Sequence, residues 1–209
     1  VKISGGPLDY ENELLTISSN YITSNHAQTI LSFNDGESDS MNFVDNILLD
    51  NDSFNDGYGS QVAFMTGNVY CNNNILDGGS IGLHISGSGT VINNQITNMV
   101  SGQNSAGIYL QGSGPFLIKE NQIAYCHALR GGGIYVGPSV MVDIDQNTIA
   151  SNTANEGSAI YIYQSNISNP STNIFGNIIT NNDGNYAVWG KPNSFTKNNL
   201  FNNFHNGEL

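Results

Sequence analysis

The frame apolar-x-x-Asn-x-apolar returns eight times along this 209-residue chain, centred on Asn20, Asn46, Asn73, Asn94, Asn121, Asn147, Asn177 and Asn198. Three places before these stand Ile17, Phe43, Tyr70, Val91, Ile118, Ile144, Ile174 and Phe195. Two places after stand Ile22, Leu48, Ile75, Ile96, Ile123, Ile149, Ile179 and Leu200. None of these flanking positions is polar. The spacings of 26, 27, 21, 27, 26, 30 and 21 residues are those of a structural repeat. A unit this short cannot enclose a core of its own, so the copies must stack.

Between the asparagines a second motif recurs: GLHI at 82–85, GIYL at 107–110, GIYV at 133–136, AIYI at 159–162 and AVWG at 187–190, with VAF at 62–64 as a weaker member. Alternation with period two marks strands whose first and third apolar side chains face inward and whose middle one faces outward. No heptad or 3.6-residue pattern competes with it. Each repeat therefore reads as three short strands joined by polar corners. Stacking parallel strands at roughly 4.8 Å per coil would align the inward isoleucines in apolar columns. The corner asparagines would form a ladder, each amide bonding to the next coil. The expected fold is all-β: a single-stranded parallel β-helix of about eight coils, one domain over residues 1–209.

The N-x-I-x-x-N frame followed by G-[IA]-Y resembles the right-handed parallel β-helix repeats of pectate-lyase-like proteins, including the subgroup named for carbohydrate binding and sugar hydrolysis. It is similar, less closely, to the Gly-Gly-Ala-Ile and Phe-x-x-Asn repeats of chlamydial polymorphic membrane proteins. The resemblance covers nearly the whole chain. It implies a right-handed solenoid in a secreted or cell-surface protein acting on or near polysaccharide. Repeats report architecture before chemistry, so two functions stand side by side. One is polysaccharide binding, with or without processing by a lyase, hydrolase or epimerase. The other is a non-catalytic, adhesin-like stalk.

Net charge is −12 with five basic residues. That leaves no basic footprint for nucleic acid or an anionic membrane, and no apolar run reaches the length of a membrane span. Val1-Lys2-Ile3-Ser4-Gly5 aligns with Leu83-His84-Ile85-Ser86-Gly87, so the chain opens on the last strand of an earlier coil. Flanking segments of a longer β-helix are the expected cover for the strand edges at its ends.

Candidate sites follow from the register. His84, Tyr109, Tyr135, Tyr161 and Trp189 hold the outward position of the second motif on successive coils. As an exposed strip they suit the C–H faces of an extended glycan and are the candidate carbohydrate-binding residues. Ring-on-ring stacking, or cover by another segment, would give the same pattern. Asp50 and Asp77 each follow the asparagine of their frame by four places and would stack in one column. Solvated corner carboxylates, a calcium site and a retaining glycosidase pair are all open for them. Calcium is the one cofactor these residues suggest.

Cys71 and Cys126 fall in different columns two coils apart, beyond disulfide reach, and are expected as free thiols. Cys126 takes a corner position held elsewhere by Asn25, Asn51, Asn152 and Asn182. Its alternative role, a nucleophile served by His127, would require two chain neighbours to face each other. Lys119 with Asp145, and Arg130 with Glu156, are expected as cross-coil ion pairs; in a lyase, Lys119 or Arg130 would be the base. Ile47, Leu49 and Leu76 read as an apolar outer face, with the loop from Asp50 to Ser60 as a candidate lid.

Overall fold

The computed structural model describes residues 2–3, 14–27, 29–33, 40–51, 61–163, 171–190, 194–195 and 200–202. Its strands pair in parallel, each with its counterpart one coil away, in two large sheets and one short one. The third row, eight strands from Tyr21–Thr23 to Leu200–Asn202, follows the first corner. The first row carries the GIY motif, as in Ile108–Gln111, Ile134–Val136 and Ile160–Ile162. The second row precedes the corner, as in Phe116–Lys119 and Val142–Asp145. Two twelve-residue strands, Gln61–Asn72 and Ile81–Ile92, run through both the first and second rows and so join them into one 14-stranded sheet. A fourth, two-stranded strip pairs His127–Arg130 with Thr153–Glu156.

Both corners are built alike. The residue before the inward-turning one lies in the left-handed region: Ser19, Asp45, Asn73, Asn93, Glu120, Gln146 and Gly176 at the first corner, with φ between 54° and 70°. This conformation costs a non-glycine residue roughly 1 kcal/mol. It swings the next side chain under the sheet, where a polar group must find partners. Asparagine finds them on both sides. Each Nδ2 donates to the Oδ1 of the next ladder asparagine at 2.8–3.0 Å, over six consecutive steps from Asn20 to Asn177. The backbone N–H of the same residue donates to that same oxygen at 2.9–3.1 Å. From Asn46 onward the amide also donates to a carbonyl one coil back, such as that of Val91 for Asn121.

The ladder corrects one position of the sequence reading. Its third member is Asn74, 1% exposed, and not Asn73, which supplies the left-handed turn and is exposed. Cys71 and Leu76 accordingly replace Tyr70 and Ile75 in the core columns, where Cys71 pairs with Phe43 and Val91 and Leu76 with Leu48 and Ile96. Three asparagines in a row, Asn72 to Asn74, between two apolar pairs make both registers readable from sequence. Burial of Cys71 in place of the larger, half-polar Tyr70 separates them, since Leu76 and Ile75 are equally apolar. Leu76 therefore faces inward, and the outer column of the third row is Tyr21, Ile47 and Ile75. At the far end Phe201, not Leu200, pairs with Ile179; Asn198 lies outside the described residues, as does the loop 52–60. Lys2 and Ile3 pair with Ser32 and Phe33, in the same columns as His84 and Ile85, as the sequence match implied.

The columns Ile22–Leu48–Leu76–Ile96–Ile123–Ile149–Ile179 and Ile17–Phe43–Cys71–Val91–Ile118–Ile144–Ile174 fill the interior, each fully buried aliphatic contributing about 2 kcal/mol. Adjacent substitutions separate the two registers. Asn74→Ala, which strands the Phe43 carbonyl and the Asn46 amide, is expected to lower stability by about 3 kcal/mol in urea unfolding, while Asn73→Gly changes it by less than about 1 kcal/mol.

Candidate functional site

The GIY strands stack closely because their first residue is small. A Cβ at Gly133 would lie 2.6 Å from the Ala159 carbonyl oxygen and 2.8 Å from Ile149 Cγ2. With strands this close, the middle side chains fall in strict register: Phe64, His84, Tyr109, Tyr135, Tyr161 and Trp189. Phe64 comes from the weaker VAF motif and lengthens the row by one ring. Ring centroids are 4.8 Å apart for Phe64–His84, 4.4 Å for His84–Tyr109, 5.0 Å for Tyr109–Tyr135 and 4.9 Å for Tyr135–Tyr161, alternating edge-on and stacked. Trp189 packs instead on Tyr186 at 4.8 Å.

The row is real but it is not an open strip. His84 is 8% exposed, Tyr135 4% and Tyr161 8%, while Tyr109 and Trp189 are half-buried. The rings use their faces on one another, and the chain entering two of the strands packs close against the Cα and Cβ of Tyr135 and the Cα of Tyr161. Gly131 and Gly157, both left-handed, occupy the same place on successive coils; a Cβ on Gly131 would meet Tyr135 Cβ at 2.8 Å. Period-two alternation reports the side a residue faces, not whether that side is covered.

Burial sets the electrostatics of the row. It holds His84 down to about 4, opposed in part by the hydrogen bond between Nε2 and Gln111 Oε1 at 3.1 Å. Its Nδ1 is buried with no hydrogen-bond partner. Desolvation raises the phenols of Tyr109, Tyr135 and Tyr161, so all three remain neutral donors.

The other candidates resolve separately. Asp77 pairs in register with Leu49, one place short of Asp50, so the two carboxylates do not share a column. The one-residue slip at Asn74 is the reason. Asp77 Oδ1 instead accepts from Thr97 Oγ1 at 2.6 Å and Asn98 Nδ2 at 2.7 Å. Among the described residues no three His, Cys, Asp or Glu side chains gather as a metal-ligand set.

Cys71 and Cys126 are free and buried, and burial raises both thiols, Cys126 to about 12. Cys126 takes the asparagine's place at the second corner, where its N–H donates to Asn152 Oδ1. His127 is exposed on the opposite side of the strand, so the two do not form a nucleophile pair.

Both cross-coil ion pairs are present. Lys119 lies 4.0 Å from Asp145 and 3.3 Å from Glu120. Arg130 Nε donates to Glu156 Oε2 at 2.9 Å, and the guanidinium lies 5.8 Å over the Tyr161 ring. Beside this pair opens a groove of about 210 Å³ lined by Asn104, Leu129, Arg130, Asn155 and Glu156. The sequence signal for it was the Arg130–Glu156 column; Leu129 and Asn155 stand beside that pair in the same two strands, Asn104 comes from the coil before, and none of the three belongs to a motif.

Parallel coils, two inward corners and ladders of identical side chains define a parallel β-helix repeat protein. The family described as the right handed beta helix region matches residues 67–203, and the chain belongs to that family. Neither a curated protein nor a solved structure matches it. No helix among the described residues is long and apolar enough to cross a membrane.

Two outcomes test the ring row. Tyr135→Ala removes a ring packed on both sides and is expected to lower stability by about 3 kcal/mol, whereas Tyr135→Phe costs less than about 1 kcal/mol in the same unfolding assay. For His84, the folded value lies below that of the unfolded chain, so the unfolded state takes up the proton first. Its contribution is complete above about pH 6.5 and is lost as pH falls towards 4, amounting to about 2 kcal/mol between about pH 7 and pH 5. Unfolding curves for His84→Phe should be flatter over that interval by this amount.

Proposed function

We propose that this chain is an extracellular or cell-surface β-helix that binds polysaccharide along the edge of its tyrosine row. The observation that carries the reading is the position of Arg130. Its guanidinium is held between Glu156 and the Tyr161 ring, at the mouth of a groove that mixes amide, charged and apolar side chains. Sugars are recognised by such combinations, because each ring presents hydroxyls on its rim and C–H groups on its face. The buried rings act as a rigid backing, and the contact groups are the polar side chains at their edge. Placement on polar groups held by neighbouring coils suits an extended polymer, since rigid strand-borne side chains lose little entropy on binding.

A second reading, a non-catalytic stalk, is favoured by the way the rings pack. Faces engaged with one another stiffen the solenoid and need no ligand. Retention on insoluble polysaccharides separates the two. The folded protein, passed over cellulose, xylan, chitin and insoluble mannan, is expected to be held by at least one and eluted by its soluble oligosaccharide. Passage through all four unretained would leave the stalk. Release of reducing or unsaturated ends during the same incubation would add a catalytic step to the binding reading.

A further inference from the structure

We propose that the groove at Arg130 and Glu156 is a subsite for one neutral sugar unit, selecting against uronate; the assignment rests on the glycan reading above. The two-stranded strip places its parts. Arg130 and Glu156 are register partners on successive coils, and Asn104 bridges to Arg130 from the coil before. Leu129 and Asn155 stand one place earlier in the same two strands, with Leu129 48% exposed. The Arg130–Glu156 bond uses Nε and Oε2, so the terminal guanidinium N–H groups and Glu156 Oε1 are not part of it.

A hydroxyl is both donor and acceptor, so two neighbouring hydroxyls can accept from the guanidinium and donate to the carboxylate at once. Asn104 and Asn155 add one amide on each side, and Leu129 offers an apolar surface to the C–H face. A carboxylate ligand meets the opposite situation. The charge of Arg130 is already compensated by Glu156, and the chain as a whole carries −12. A uronate would place a second carboxylate beside Glu156, and among the described residues that line the groove Arg130 is the one cation. The groove, about 210 Å³ and open to solvent, is on the scale of a single sugar unit, and its open side lets a longer chain pass across it.

Isothermal titration calorimetry tests this with hexasaccharides of cellulose, xylan, mannan and chitin, and with hexagalacturonate. At least one neutral hexasaccharide is expected to bind, about tenfold or more tighter than hexagalacturonate. Arg130→Lys, which keeps the charge but loses the planar fork, and Glu156→Gln should each weaken that binding by about tenfold or more. Lys119→Met, at an ion pair elsewhere on the coil, should leave it unchanged, and thermal melts verify that each variant is folded. Unchanged binding in both groove variants would overturn the subsite while the glycan reading stood. Tighter binding of hexagalacturonate would overturn the ligand class. Failure of the parent protein to bind any of the five would remove both the subsite and the glycan reading.

Discussion

The amide of an inward-turned asparagine is the interaction on which this solenoid depends. A β-helix must turn its backbone sharply several times per coil, and each left-handed corner residue costs free energy and drives the next side chain into the interior. The asparagine amide offsets that cost because its oxygen accepts twice and its nitrogen donates both forward and back along the stack. Aspartate would bury a charge there, and serine would not reach. The second corner shows the margin. Asparagine pairs hold it at both ends, while Gly79, Met99 and Cys126 occupy the middle, where the apolar columns suffice.

The same stacking that aligns the asparagines aligns everything else on the repeat. Rings on the middle position of the first row fall about one strand spacing apart and pack on each other, so a row that looks like an open platform becomes part of the wall. His84 lies between Phe64 and Tyr109 and Tyr135 between Tyr109 and Tyr161, so both are buried, and burial depresses the basicity of the histidine. Close registry thus turns a surface feature into a structural one.

Function on a repeat scaffold belongs where the repeat changes. Arg130 and Glu156 are the cross-coil pair beside the ring row, in a strip only two strands wide. The outward column of exposed Tyr21, half-buried Ile47 and exposed Ile75 is another break in the polar outer surface of the third row. Surface ion pairs contribute little to stability, about 1 kcal/mol at most. The geometry of the Arg130 pair matters more for what it presents than for what it stabilises.

The sequence alone determined the architecture, because a repeat with period-two strands and an asparagine at each corner has essentially one way to bury its apolar faces. It also set most of the register, the free state of Cys71 and Cys126, and the pairing of Lys119 with Asp145 and Arg130 with Glu156. Where two neighbours could serve equally well, as Asn73 and Asn74 or Leu200 and Phe201, the pattern was degenerate by one residue. That slip was enough to put Leu76 on the wrong side and Asp77 in the wrong column. The burial of the aromatic row and the groove beside Arg130 were decided only by the tertiary structure. Both depend on side chains from different coils meeting in space, and alternation along a strand carries no information about what lies across from it.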